Sequence, residues 1–295
     1  MNTTRLRFPS NKVRDIERCL RSELSSHYPE GEALSMMALL FEGFLGWDTT
    51  QRLLHRDDTI NQSDLLRFHW AVEDLLHDRP IQHIVGYTWF CDCKIGVDPS
   101  VLIPRPETEE MVLQTIQQLQ ATPPHTILDL CTGSGCIAIA LAKAFPQADV
   151  TAIDLSSEAL QKAQENAEAN HVAIRFFQDD LLSPTLPLER YDLIVSNPPY
   201  IPLSESASMD KNVTAHEPHM ALFVPDDDPL CFYQAIGQLA VSRLERHGWL
   251  VLETHETLAE ETRQLLLSMG FSATLHKDFR DRNRKIVAQF SQKND

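Results

Sequence analysis

The chain is short of positive charge. It sets 26 Lys+Arg against 42 Asp+Glu, a formal net charge of −16. The shortage is uneven: residues 1–85 carry 10 basic and 13 acidic side chains, and the remainder carries 16 and 29. So acidic a surface repels a phosphate backbone and is a poor platform for duplex nucleic acid. The one local exception, Lys277, Arg280, Arg282, Arg284 and Lys285 with Asp278 and Asp281 among them, reads as a solvated turn. Long apolar runs are missing too, so no membrane span is expected. The start, Met1-Asn2-Thr3-Thr4-Arg5, lacks the apolar core of an export signal. The six cysteines include no CxxC pair or repeated spacing, and they are expected as reduced thiols in a cytoplasmic protein. The twelve histidines form no HExxH and do not pair with cysteine at ligand spacing, so no metal centre is expected. Internal repeats and low-complexity tracts are absent.

What is present divides near residue 86. Before it, apolar residues recur at helical spacing: Val13, Ile16, Leu20 and Leu24, then Ala33, Met36, Leu39 and Leu40, then Leu65, Phe68, Val72, Leu75 and Leu76. This predicts a small N-terminal helical bundle over residues 1–85, closed by Arg79-Pro80. Residues 86–106 begin with the alternating, β-rich stretch from Tyr87 to Val97, which predicts a β-hairpin linker punctuated by Pro99, Pro104 and Pro106. Trp89 and Phe90 are expected as packing residues. Over 107–295 strands alternate with helices. Apolar strands are expected at 126–130, 150–153, 174–177, 193–195 and 249–252, with helices at 107–119, 136–145, 157–170 and 230–247. That alternation predicts an α/β domain with a doubly wound, Rossmann-like sheet.

Two motifs carry chemistry. Asn197-Pro198-Pro199-Tyr200 follows the apolar run Tyr191–Val195. Two prolines remove two backbone donors and end the strand at Ser196. They leave carbonyl acceptors without competing N–H groups, beside the Asn197 side-chain oxygen and one aromatic ring. Acceptors next to a flat ring suit a planar NH2 group, although such a turn by itself also fits an ordinary strand-ending loop. The second motif is the turn after the first strand of the alternating region, Asp129 through Thr132, Gly133 and Gly135 to Cys136, whose glycines allow close backbone approach to a ligand. Asp154 ends the second strand, twenty-one residues after Gly133, where an acid can hold ribose hydroxyls. Asp180 follows the third strand and is placed for an adenine amino group. The turn by itself admits NAD as well as S-adenosylmethionine. Asp129 inside the strand end favours the second, because it can pair with a ligand ammonium and would repel a pyrophosphate. The Asn-Pro-Pro-Tyr acceptors suit an amino substrate and offer nothing to a hydride donor.

These residues together resemble the class I methyltransferases that act on planar amino groups. Ile103-Pro104-Arg105-Pro106-Glu107-Thr108-Glu109, Ala215-His216-Glu217-Pro218 and Pro80-Ile81-Gln82-His83-Ile84-Val85-Gly86 narrow the resemblance to the HemK/PrmC family of protein-(glutamine-N5) methyltransferases, over roughly residues 75–290. The resemblance implies a class I methyltransferase domain, S-adenosylmethionine as cofactor, and as partner a class I peptide chain release factor whose Gly-Gly-Gln glutamine is methylated. It implies that Asn197 and the Pro198 carbonyl grip the glutamine amide and that Glu217 lines the substrate entrance, although Glu217 also fits a simple ion pair with a nearby cation. Pro199 and Tyr200 are expected at the substrate slot, Tyr200 stacking on the amide or walling it, and Arg105 reads either as an organiser of a cofactor lid or as a surface charge in a linker. The bundle is expected to help hold the protein substrate, and the enzyme is expected to be a monomer. The sequence departs from the family pattern at Cys131, Pro229, His255 and Asp281, where glycine is commoner. Other functions remain open: methylation of a ribosomal-protein glutamine, methylation of a nucleic-acid amino group, and, as a different class, NAD-dependent oxidoreduction or a catalytically silent binding module.

Overall fold

The computed structural model describes residues 7–185 and 189–291. The first five residues, read above for an export signal, lie outside them. The chain forms two compact units, one running to Tyr87 and including Lys211–His216, the other comprising Thr88–Asp210 and the chain from Glu217 onward.

The first unit is helical: α1 (Val13–Leu24), α2 (Glu30–Leu45), α3 (Thr49–Leu54), α4 (Gln62–Leu75) and α5 (Ile81–Val85). On α1 the buried residues are Val13, Ile16, Leu20 and Leu24, the apolar stripe of its 3.6-residue period. Polar residues set the boundaries. Gly46 takes a left-handed φ of 69° to end α2, the Asp48 side chain forms a capping box with Gln51 at α3, and the Asn61 side chain accepts from the Asp64 N–H at α4.

β1 (Tyr87–Phe90), which belongs to the second unit from Thr88 onward, and β2 (Cys93–Gly96) form a hairpin, and Cys91 and Asp92 both take positive φ at its two-residue turn. Asn166 ties this hairpin down: its Oδ1 accepts from Gly96 N at 2.7 Å and its Nδ2 donates to Gly96 O at 2.9 Å. Phe90, Cys93 and Ile95 are buried in the core, while Trp89, on the opposite face of the strand, is 53% exposed. The packing role expected of Trp89 and Phe90 therefore falls to Phe90, because period-two alternation puts its neighbour outward.

The chain continues through α6 (Pro106–Leu119), β3 (Thr126–Leu130), α7 (Cys136–Ala144), β4 (Asp149–Asp154), α8 (Ser157–Ala169), β5 (Arg175–Gln178), β6 (Tyr191–Ser196), β7 (Ile201–Pro202), the short α9 (Lys211–Thr214) in the first unit, β8 (Phe223–Val224), α10 (Cys231–Arg243), β9 (Leu244–Glu253), α11 (Ala259–Ser268), β10 (Phe271–Lys277) and β11 (Asn283–Phe290). Among the described residues the main sheet has seven strands in the order β10-β11-β9-β6-β3-β4-β5. From β9 to β5 neighbours run parallel, and β11 is antiparallel to both β9 and β10. Ile127 packs into the core on one face with Val150 and Leu193, and its neighbour Leu128 packs on the other with Ile194 and Leu250. Both faces are covered, so the strands read as apolar runs rather than alternating ones. The strand order reverses between β3 and β6, opening a crevice at their carboxyl ends.

One expectation changes, and one pair of strands appears that was not expected. The helix expected to reach residue 247 stops at Arg243, and Leu244, fully buried, pairs with Tyr191 as the first residue of β9. The basic segment 277–285 is a tight turn at Asp278–Arg282 between β10 and β11, two strands the apolar pattern did not announce.

Candidate active site

The crevice between β3 and β6 holds a cavity of about 570 Å³, walled by Gly133, Asp154, Asp180, Asn197 and Pro199 among others. That size is in the range of small-ligand sites. Its walls are mostly apolar, with Ile153, Leu155, Leu181, Phe223 and Phe232 among them.

Each acid is held by the backbone around it. Asp154 Oδ2 accepts from Gly133 N at 2.8 Å and Oδ1 from Ser156 N at 2.9 Å. Burial pushes its carboxyl upward, and these N–H bonds oppose the shift. The close approach of Gly133 N to Asp154 requires the turn to run through positive φ, at 59° for Cys131, 53° for Gly133 and 80° for Gly135. Cys131 thus occupies a left-handed position that suits the commoner glycine. Gly135 has a second constraint, since a Cβ there would stand 3.0 Å from Ala163 Cβ on α8. Asp180 Oδ1 accepts from Leu182 N at 2.9 Å, whereas its neighbour Asp179 is bound by Thr185 N and Oγ1.

Asp129 is wholly buried at the end of β3. Its Oδ2 accepts from Thr132 Oγ1 at 2.6 Å and Ala138 N at 3.2 Å, and among the described residues Oδ1 is buried with no hydrogen-bond partner. Loss of solvent pushes this carboxyl up to about 7, helped by the charge of Asp154. A buried carboxylate oxygen left unsatisfied is costly by itself and suits a ligand cation.

Of the residues singled out in the sequence, Asp129, Thr132, Gly135, Pro198, Tyr200 and Glu217 are not on the cavity wall. Glu217 is 5% exposed and both its oxygens are engaged, Oε2 by Ile103 N at 2.9 Å and Oε1 by Arg105 Nη2 at 2.6 Å. It therefore fastens the Ile-Pro-Arg-Pro segment, while the next residue, Pro218, reaches the wall. Tyr200 Oη donates to Glu253 Oε1 at 2.9 Å, and its ring lies 5.8 Å from that of His255.

The sequence reading missed two side chains that adjoin this site. Asn197 Nδ2 donates to Thr108 Oγ1 at 3.1 Å, and Thr108 Oγ1 donates to Glu253 Oε2 at 2.6 Å. Thr108 is buried on the first turn of α6, and Glu253 ends β9 at 2% exposure. Burial pushes the Glu253 carboxyl upward, opposed by its bonds from Thr108 and Tyr200. An acid closing the apolar run Trp249–Leu252 was the available signal, since strand ends are where this architecture places ligands.

A doubly wound sheet with acids after three successive strands and an acceptor turn after the fourth is a Rossmann-like domain, and its family match makes it a methyltransferase domain. Residues 109–216 match the Methyltransferase small domain, and residues 16–86 match the PrmC N-terminal domain. The release factor glutamine methyltransferase of Flavobacterium psychrophilum is 40% identical over 271 residues, covering 90% of this chain and 95% of that protein. Its counterpart in Bacteroides thetaiotaomicron is 35% identical over 91% and 97%, and that of Chlorobaculum tepidum 38% identical over 85% and 89%. The chain belongs to the release factor glutamine methyltransferase family. Its cofactor is S-adenosylmethionine, and the cavity volume and the acids of its wall fit that group, while the orphaned Asp129 oxygen is buried off the wall.

Proposed function

We propose that this chain methylates the side-chain amide nitrogen of the glutamine in the Gly-Gly-Gln motif of class I peptide chain release factors, as a cytoplasmic enzyme of translation. The observation that carries this reading is the place of Asn197, which directly follows β6 at the switch point and shares the cavity wall with Asp154 and Asp180. An acceptor for a planar amide thus stands beside the acids suited to a nucleoside. Asp129 is suited to the cofactor ammonium, Asp154 to its ribose and Asp180 to its adenine amino group, with Gly133 allowing close approach. When bound, S-adenosylmethionine supplies an electrophilic sulfonium methyl.

An amide nitrogen is a feeble nucleophile because its lone pair is delocalised. Asn197 Oδ1 and the Pro198 carbonyl accept its two N–H groups and aim the nitrogen, and such positioning contributes on the order of 7–11 kcal/mol in favourable cases. Pro199 walls the slot, and Tyr200, anchored on Glu253, steadies the turn. No side chain is assigned as general base, since the proton can pass to water after transfer. The N-terminal bundle, with the proposed boundaries of 1–85, holds the protein substrate.

The test is mass spectrometry of unmodified release factor after incubation with enzyme and methyl donor. One methyl group is expected on the Gly-Gly-Gln peptide. Asn197→Ala should abolish it while S-adenosylhomocysteine affinity stays nearly intact. Methylation of a ribosomal protein in place of release factor, or turnover retained by Asn197→Ala, would refute the reading.

A further inference from the structure

Asn197 acts as an acceptor only if its carboxamide faces the right way, since the opposite rotamer would present NH2 to the substrate's own NH2. We infer that Thr108 and Glu253 are positioning residues that fix this orientation, a role that rests on the proposed amide substrate. The direction of the chain follows from hydrogen-bond valence. Glu253 receives Thr108 Oγ1 on Oε2 and Tyr200 Oη on Oε1. A hydroxyl has one hydrogen, so Thr108, having donated to the carboxylate at 2.6 Å, faces Asn197 as an acceptor. The Asn197 group meeting it at 3.1 Å must therefore be the NH2. Oδ1 is left on the other branch of the carboxamide, with no hydrogen bond to it among the described residues. The Thr108–Glu253 bond is buried, where such bonds resist exchange with water, and the bonds to Asn197 and from Tyr200 are partly buried.

The carboxylate has its own support. Tyr233 Oη donates to the Glu253 backbone carbonyl at 3.2 Å, and Thr254 N donates to Arg284 O at 2.9 Å, so the strand end carrying Glu253 is pinned from two sides. The charged groups that act on it are Arg284, which favours the carboxylate, and Glu107, which opposes it. The sheet thus turns the placement of one buried carboxyl group into an orientation two side chains away.

The test compares Thr108→Val, which keeps the shape and removes the hydroxyl, with Thr108→Ser, which keeps the hydroxyl. Steady-state kinetics on release factor are measured beside the hydrogen exchange of the Asn197 side-chain NH2 by NMR. Thr108→Val should lower kcat about 10–100-fold, the scale of a misplaced reacting group. KM for release factor and S-adenosylhomocysteine affinity should hold, and the protected Asn197 amide proton should become fast-exchanging. Thr108→Ser should restore both kcat and protection. A Thr108→Val enzyme with kcat near wild type, with protection unchanged, or with cofactor affinity falling alongside kcat overturns the inference. A wild-type enzyme inactive on release factor overturns the substrate reading alone, and the exchange measurement then decides the role of Thr108 by itself.

Discussion

Asp129 has one carboxylate oxygen bound twice and the other, among the described residues, without a partner, in a fully buried position. Its pKa is raised from 3.8 to about 7, so the folded protein holds a proton there that the unfolded chain releases. For the ligand-free protein this group's contribution to stability is therefore greatest below the unfolded value and falls as pH rises from about 4 to about 7. Ligand binding has the opposite sense, because an ammonium pairs with the carboxylate and not with the acid. S-adenosylhomocysteine, which keeps the ammonium, should bind more tightly as pH rises through neutrality and should release a proton on binding. Calorimetry in buffers of different ionisation enthalpy reads both effects. Asp129→Asn should weaken binding and flatten the profile, and a wild-type affinity independent of pH would contradict the assignment. The sequence indicated this residue through its position inside the strand end. It did not indicate that the second oxygen is free, which depends on Thr132 and Ala138 folding back onto the first.

At the scale of elements, the turn from β3 into α7 is the most constrained piece of the site. Gly135→Ala adds a Cβ at φ 80° and at 3.0 Å from Ala163. It should cost about 1–3 kcal/mol and shift the start of α7. A lower Tm together with weaker cofactor binding is the expected result, and an unchanged Tm would show that the turn relaxes freely. Glu217→Gln makes a complementary case. One amide oxygen can still serve Ile103 N, but the NH2 then faces the Arg105 guanidinium, two donors together. A loss of about 1–3 kcal/mol in thermal stability is expected. Substrate KM should change less than in any Asn197 variant, because neither Glu217 oxygen is available to a substrate. These elements also show what was legible. The inner parallel strands β3, β4, β6 and β9 announce themselves because both sheet faces are covered there and their residues run apolar. β10 and β11 do not: alternate residues of β10 are exposed and polar, the apolar run of β11 is only Ile286–Ala288, and the turn between them is a charge run. Leu244 misleads because it lies four residues after Ala240 and so continues the helical stripe, while its burial comes from pairing with Tyr191 on β6, a strand about fifty residues earlier. Thr108 and Glu253 belong to segments 145 residues apart, and only the folded sheet brings them together.

Over the whole molecule, the net charge of −16 is the property most relevant to partner choice. An Asn-Pro-Pro-Tyr turn suits a base amine as well as a glutamine amide, so the turn alone does not choose between nucleic acid and protein. The basic run at 277–285 is the one sequence feature that favours nucleic acid, and the structure neutralises it. Lys277 pairs with Asp281 at 2.8 Å, Arg280 with Glu107 at 3.4 Å, and Arg282 and Arg284 with Glu256 at 3.2 and 3.6 Å. Lys285 is buried at 5% exposure, where desolvation lowers it to about 8. Cations already matched by carboxylates displace few counterions from a phosphate backbone, and counterion release supplies most non-specific affinity for nucleic acid. Labelled duplex DNA should therefore show no rise in fluorescence anisotropy with micromolar enzyme even at low salt, and excess duplex should leave release factor methylation unchanged. Binding that weakens steeply as salt is added would mean that these ion pairs open for phosphate, and would return the nucleic-acid amine to the list of substrates.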